Sequence, residues 1–285
     1  MLEFNQIYNM DCVDGMKQLP NDCIDLTVTS PPYDNLRNYH GYTLDFPVVA
    51  RELFRVTKPG GVVVWVVSDA TVNGSETGSS FRQALGFMDA GFKLHDTMIW
   101  VKTGGGGFGS IYCYMQNTEY MFILSKGKPK AVNLIRDHRN SHVGAKKSGH
   151  GRRFADGVTN TENGKMRTVP EFSKRNNWWY YPRSHGYEDH PATFPEELAA
   201  DHILSWSNPG DVVLDPFMGS GTTAKMALAN GRRFIGFDIS ADYCGMARRR
   251  IDGLNNESKG CARQTALQLP MYAETGRSLE KELAK

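Results

Sequence analysis

Residues 211 to 238 constrain the fold of this chain more than any other stretch. Val212, Val213 and Leu214 make a short apolar strand. Asp215-Pro-Phe-Met-Gly-Ser-Gly221 is a tight turn carrying two glycines, and Thr222 to Ala229 reads as a helix ending near Asn230-Gly231. A second apolar strand, Phe234 to Phe237, delivers Asp238 at its end, 23 positions after Asp215. A strand–glycine turn–helix–strand–acid unit is an α/β element. Its glycines let the backbone approach a ligand, and its acid can accept from ribose hydroxyls.

The turn is not a dinucleotide fingerprint, because Thr222, Thr223 and Ala224 follow Gly221 where a third glycine would be needed. The chain also lacks a Gly-x-x-x-x-Gly-Lys-Ser/Thr phosphate loop. A cofactor without a pyrophosphate needs neither. S-adenosylmethionine fits, with adenosine toward Asp238 and a charged amino-acid end against the loop. The alternative is a purely structural α/β turn.

A second informative stretch lies almost two hundred residues earlier. Leu26, Thr27 and Val28 end an apolar strand, and Ser30-Pro31-Pro32-Tyr33 follows. Each proline locks φ and removes a donor, so the chain leaves the sheet edge on a set path. The carbonyls there escape ladder pairing and can accept from a ligand, and Tyr33 adds a flat face. Acceptors beside an aromatic platform suit a planar base with an exocyclic amino group. Alone, the tetrapeptide is equally a proline turn.

Together these residues resemble a known family. Asp215-Pro-Phe-Met-Gly-Ser-Gly-Thr222 resembles the S-adenosylmethionine loop of DNA amino-methyltransferases, and Thr29-Ser-Pro-Pro-Tyr33 resembles their catalytic motif. The catalytic motif comes first here, an order that resembles the circularly permuted β group of adenine-N6 and cytosine-N4 enzymes. Asn9-Met10-Asp11-Cys12, Lys58-Pro59-Gly60-Gly61 with Val62 to Val67, and His190-Pro-Ala-Thr-Phe-Pro-Glu-Glu-Leu198 also match family segments. The likeness covers roughly residues 4 to 125 and 178 to 250.

The resemblance implies a Rossmann-like α/β methyltransferase sheet with helices on both faces, circularly permuted, with an inserted target-recognition region. It implies that Ser30 Oγ and the Pro31 carbonyl hold the amino protons, with Pro32 in the same rigid turn and Tyr33 stacked on the base. It places Asp11 and Cys12 at the cofactor adenine, Asp238 at the ribose, and Thr193 and Phe194 at the methionine end. Asp215, Phe217, Gly219, Ser220, Gly221 and Thr222 shape the loop around the cofactor, beside Ser30. Asp11 could instead merely cap the next helix, and Phe217 could be plain core. Transfer would be direct, without a metal or a covalent enzyme intermediate, and the base would leave the duplex first. In this family Asp at position 30 goes with adenine and Ser is commonest in cytosine-N4 enzymes. The longer run Ser30 to Tyr39 resembles solitary enzymes assigned to adenine, and on balance it sets adenine N6 ahead of cytosine N4.

The remaining chain sets the organisation. Residues 128 to 183 hold 13 Lys/Arg against 4 Asp/Glu, although the whole chain is only +2. The stretch reads either as a solvated loop or as the recognition insertion, with Lys146, Lys147, Arg152, Arg153, Lys174 and Arg175 as cations for phosphates and bases. The expected division is a catalytic half over 1–127, the insertion over 128–185, a cofactor half over 186–255 and a tail over 256–285. Expected elements are strands at 4–8, 24–29, 62–67, 93–101 and 119–125, and helices from Cys12, at 45–57, 80–90 and 194–206. Gly104 to Gly107 reads as a loop near the base pocket, and 275–285 as a short helix or disordered.

Five scattered cysteines and the lack of a leader or an 18-residue apolar run suggest a cytoplasmic, nucleoid-associated protein with no membrane contact. Double-stranded DNA is the expected partner. A homodimer and a separate restriction endonuclease are further partners the resemblance brings in. Rival readings are an RNA or protein methyltransferase, or an inactive DNA-binding module on the same fold. The first predicts the opposite motif order and the second predicts loss of Ser30, Tyr33 or the glycines.

Overall fold

The structure is a computed structural model. It describes residues 2–32, 44–103, 108–110, 113–148, 152–153, 159–160, 166–183 and 194–260. The chain divides into two compact units, residues 1–251 and 252–285. The first is built on one eight-stranded mixed sheet. Its strands are β1 (Gln6–Asn9), β2 (Ile24–Thr29), β3 (Thr57–Val67), β4 (Lys93–Thr103), β5 (Thr118–Ser125), β6 (Trp178–Pro182), β7 (Val212–Asp215) and β8 (Arg233–Asp238). The helices are α1 (Cys12–Lys17), α2 (Phe46–Val56), α3 (Ser79–Asp89), α4 (Glu196–Trp206), α5 (Thr222–Ala229) and α6 (Ala241–Gly260). Of the second unit, the described residues are the end of α6.

The strands run in the order β1-β8-β7-β2-β3-β5-β4-β6. β1, β8, β7, β2 and β3 are mutually parallel, and β5 is antiparallel to both β3 and β4. The parallel strands are near-continuous apolar runs because both faces are covered. Val62, Val64, Val66, Leu26 and Val28 face one core cluster with Leu198, Ile203 and Ala224. Val63, Trp65, Val67, Leu214 and Phe237 face the other, with Met16, Leu53 and Phe87. Helices therefore cover both faces, as the resemblance implied.

Helix α2 buries Val49, Ala50, Leu53 and Val56, one face at helical spacing. Asp45 caps it by accepting from Val48 N, with Pro47 in the first turn. The strand read at 62–67 begins earlier, at Thr57. Lys58-Pro59-Gly60-Gly61 is a bulged start of β3, where the register with β2 shifts and Gly60 takes φ +84°.

The expected division at 185 puts a core strand inside the insertion. β6 closes the sheet edge, paired parallel to β4. Its alternation turns Trp179 and Tyr181 inward and Trp178 and Tyr180 outward. Elsewhere in 128–183 the described residues include three short two-stranded pairs: His138–Arg139 with Phe172–Ser173, Lys146–Ser148 with Met166–Thr168, and Arg152–Arg153 with Thr159–Asn160.

Candidate active site

From the centre of the sheet the chain steps outward in two directions: β2 leads to its neighbour β3, and β7 leads to its neighbour β8. The carboxyl ends of β2 and β7 thus flank a topological switch point, where open α/β sheets bind ligands. Ser30 and Pro31 leave the tip of β2, and the glycine turn leaves the tip of β7.

A buried hydrogen bond joins these two tips. Thr29 Oγ1 donates to Asp215 Oδ1 at 2.6 Å, across 186 residues of chain. The same oxygen accepts from Phe217 N at 3.1 Å, which starts the turn. Thr223 Oγ1 donates to the Val28 carbonyl at 3.0 Å, so the first turn of α5 also rests on β2. Burial pushes the Asp215 carboxyl up to about 6, against the pull of its Thr29 and Phe217 hydrogen bonds. Pro31 is buried, and Pro32 and Ser30 are half-buried.

Asp238 stands at the tip of β8, partly exposed. It accepts from Gly219 N and Ser240 N, each at 2.8 Å. Burial raises its pKa and these two backbone donors oppose the rise. Asn9 at the tip of β1 pairs with Asp238 in register, and its amide donates to the Asp238 and Ile239 carbonyls. Asp11 follows two residues on. Its Oδ1 accepts from Val13 N at 2.8 Å and Asp14 N at 3.3 Å, so it caps α1. Cys12 is buried in the core at 3% exposure.

The loop residues divide by direction. Phe217 is half-buried, edge-on to Trp65 at 6.0 Å. Ser220 and Thr222 are buried, and both hydroxyls meet the Arg250 guanidinium on α6. Gly221 takes φ +81°, and a Cβ there would sit 2.6 Å from the Ala247 Cβ. Its missing side chain therefore serves the packing of α6 as well as the turn. Phe194 packs against the core just before α4. Tyr33 and Thr193 lie outside the described residues.

The basic stretch does not act as one face. Lys130 N donates to Gly60 O and Lys126 N to Gly61 O, which puts this segment at the amino edge of β3, opposite the crevice. Arg175 is also committed inside the protein. It pairs with Asp137 and Asp201, donates to Tyr181 Oη and lies over Trp179. It is an anchor of the insertion, so it leaves the set of cations open to DNA. Lys146, Lys147 and Lys174 are exposed, and Arg152 and Arg153 lie in a short strand whose side chains are not described.

Thr29, Asn9 and Glu196 stood inside motifs read from the sequence but were given no role of their own there, and Thr223 and Arg250 were given none at all. Only partners distant in sequence give them their roles.

A glycine turn after β7 and a Ser-Pro-Pro motif after its neighbour β2, with an acid at the tip of β8 on the other side of β7, fit a Rossmann-like methyltransferase of the permuted kind. The donor set suits S-adenosylmethionine: a half-exposed carboxylate at the β8 tip, and a helix N-terminus at α5 without a side-chain cap.

The particular family follows from comparison. The DNA methylase family of N6/N4 amino-methyltransferases matches residues 24–249, and the chain belongs to it. The orphan methyltransferase M.BamHII of Bacillus amyloliquefaciens is 55% identical over 246 residues, covering 83% of this chain and 92% of that one. The DNA adenine methyltransferase YhdJ of Escherichia coli K12 is 29% identical over 270 residues, covering 88% and 83%. The solved cytosine-N4-specific PvuII DNA methyltransferase superposes with a TM-score of 0.63 at 21% identity, covering 86% and 85%. TTHA0409 of Thermus thermophilus, solved with S-adenosyl-L-methionine, gives 0.59 at 26% identity, covering 87% and 93%. The chain is thus a DNA amino-methyltransferase with S-adenosyl-L-methionine as its cofactor.

Proposed function

We propose that the crevice between the tips of β2 and β7 methylates the exocyclic amino group of a base flipped out of duplex DNA, and that the base is cytosine. The observation that carries the site is the Thr29–Asp215 bond, which holds the amino-group motif against the cofactor loop. When bound, the cofactor presents its sulfonium methyl as the electrophile. An exocyclic amino nitrogen is a weak nucleophile because its lone pair is delocalised into the ring. Ser30 Oγ and the Pro31 carbonyl hold its protons and favour a pyramidal nitrogen, while Tyr33 stacks on the ring. Positioning and electrostatics carry the rate gain.

Asp238 binds the ribose. Asp11, fixed as the α1 cap, stands toward the cofactor adenine, with Cys12 as packing behind it. Thr193 and Phe194 line the methionine end. The base assignment departs from the sequence reading, which set adenine N6 ahead through the longer run 30–39: cytosine is put first because Ser30, the residue taken to touch the amino group, is the one commonest at this position in cytosine-N4 enzymes. Adenine N6 is the second reading, favoured by the 29%-identical relative named an adenine methyltransferase.

For the DNA, we take Lys146, Lys147, Arg152, Arg153 and Lys174 as the cations that meet it. Lys147 stands directly opposite Arg167 in an antiparallel pair, both exposed. Like charges across a pair destabilise it unless an anion neutralises them. The 55%-identical relative is named an orphan, and we read this chain likewise as acting without a dedicated endonuclease. The homodimer implied by the resemblance is checked by sedimentation velocity.

Incubation with tritiated S-adenosylmethionine and mixed-sequence duplex DNA, followed by digestion to nucleosides, tests the activity and the base together. N4-methylcytosine is expected. Label in N6-methyladenine establishes the second reading, and no label in DNA, with cofactor binding intact, removes both.

A further inference from the structure

Arg250 lies on α6, outside every motif read in the sequence, and its side chain is 7% exposed. Its Nη1 donates to the Ser220 carbonyl at 2.7 Å, to Ser220 Oγ at 2.8 Å and to Thr222 Oγ1 at 3.2 Å. Its Nη2 donates to Glu196 Oε1 at 2.5 Å. Glu196 opens α4, two residues after Phe194, and also takes Lys225 Nζ on both carboxylate oxygens at 2.7 and 2.9 Å. Burial works against the Glu196 charge, but the bonds from Lys225 and Arg250 outweigh it and lower its pKa. One guanidinium therefore spans two segments that meet only through tertiary structure: the back of the glycine turn and the start of α4.

We infer that Arg250 is a positioning residue for the cofactor. It sets the spacing between the 215–221 turn and the 194–196 segment, the two walls assigned above to the loop and methionine ends of S-adenosylmethionine. The inference rests on that assignment. A planar fork is required here, since a single ammonium cannot address two oxygens of Ser220, the Thr222 hydroxyl and a carboxylate together. The hydroxyls of Ser220 and Thr222 then act from behind the turn, holding its shape, with the cofactor on the opposite side.

The test compares wild type with Arg250→Met, Arg250→Lys, Glu196→Gln and the Arg250→Met/Glu196→Gln double variant. S-adenosylhomocysteine affinity is measured by calorimetry, duplex DNA affinity by fluorescence anisotropy and folding by thermal melting. Arg250→Met is expected to weaken S-adenosylhomocysteine about tenfold while DNA affinity stays within about twofold. Arg250→Lys should recover little of the loss. Glu196→Gln should weaken the nucleoside severalfold, and the double variant should be no weaker than Arg250→Met alone, because both act through one network.

Unchanged S-adenosylhomocysteine affinity with a lowered melting temperature would overturn the inference and leave Arg250 purely structural. Equal loss of nucleoside and DNA affinity, or additive losses in the double variant, would overturn it as well. If Arg250→Met does not fold, Arg250→Lys and Glu196→Gln carry the same split between nucleoside and DNA. Failure of the underlying assignment is seen separately, as no S-adenosylhomocysteine binding by wild type.

Discussion

Asp215 carries a carboxylate where the fold offers it almost no water, with 2% of its surface exposed. The hydroxyl of Thr29 and the amide of Phe217 compensate in part, yet burial holds its pKa up at about 6. A raised carboxylate pKa favours the protonated folded state. The stabilisation it contributes is full below about pH 4 and is lost as pH rises through about 6. Asp215→Asn keeps an acceptor for Thr29 and removes the titration. Its stability relative to wild type should rise by about 2 kcal/mol between pH 4 and pH 7.5. Urea unfolding at both pH values measures this, and a difference that stays constant would contradict it. Thr29→Val removes the donor and should cost about 1–3 kcal/mol at neutral pH by the same assay, with Thr29→Ser nearly neutral. At this scale the motifs were legible but their partners were not. Ser30-Pro31-Pro32 and Asp215 announce themselves by residue type and order. The Thr29–Asp215 bond depends on two strands separated by 186 residues becoming neighbours.

Elements read from local pattern came out close to their true bounds where periodicity and breakers agreed, as at α2, β2, α5 and β8. β6, Trp-Trp-Tyr-Tyr-Pro, was absorbed into the basic stretch although its four aromatics favour a strand, because it is only five residues long and follows directly on Lys174-Arg175-Asn-Asn177. Its place at the sheet edge comes from pairing with β4. The glycine turn was legible as a turn, but the contact that makes Gly221 a glycine lies on α6. Gly221→Ala would combine a left-handed residue, worth about 1–2 kcal/mol, with overpacking against Ala247, worth about 1–3 kcal/mol. Thermal melting should show that loss, and Ala247→Gly in the same chain should recover part of it. If Gly221→Ala melts like wild type, the packing explanation is wrong.

For the whole molecule, the insertion has a neck. His138–Arg139 pairs with Phe172–Ser173, and Asn140 N donates to Glu171 O at 2.9 Å, so the chain that leaves at Asn140 returns beside it at Glu171. Replacing 141–170 with a short Gly/Ser linker should leave a folded chain that binds S-adenosylhomocysteine and no longer holds DNA. Retained DNA affinity in anisotropy would move the interface elsewhere. Changing Lys146 and Lys147 to Ala should reduce the slope of log K against log salt by up to about 2. Arg175→Ala should instead lower the melting temperature, since its partners are Asp137 and Asp201. Among the described residues no helix is long and apolar enough to cross a membrane.

Sequence alone determined the class of chemistry. Amino-group acceptors after one strand, a glycine turn after another and their reversed order are local patterns, and local patterns survive in one dimension. Tertiary structure decided which groups act together. It put Thr29 on Asp215, turned Ser220 and Thr222 toward Arg250, drew Arg175 into an internal ion pair and sent the 126–130 segment to the amino end of β3, opposite the crevice. Those outcomes depend on strand order and burial, which bring distant residues within bonding range.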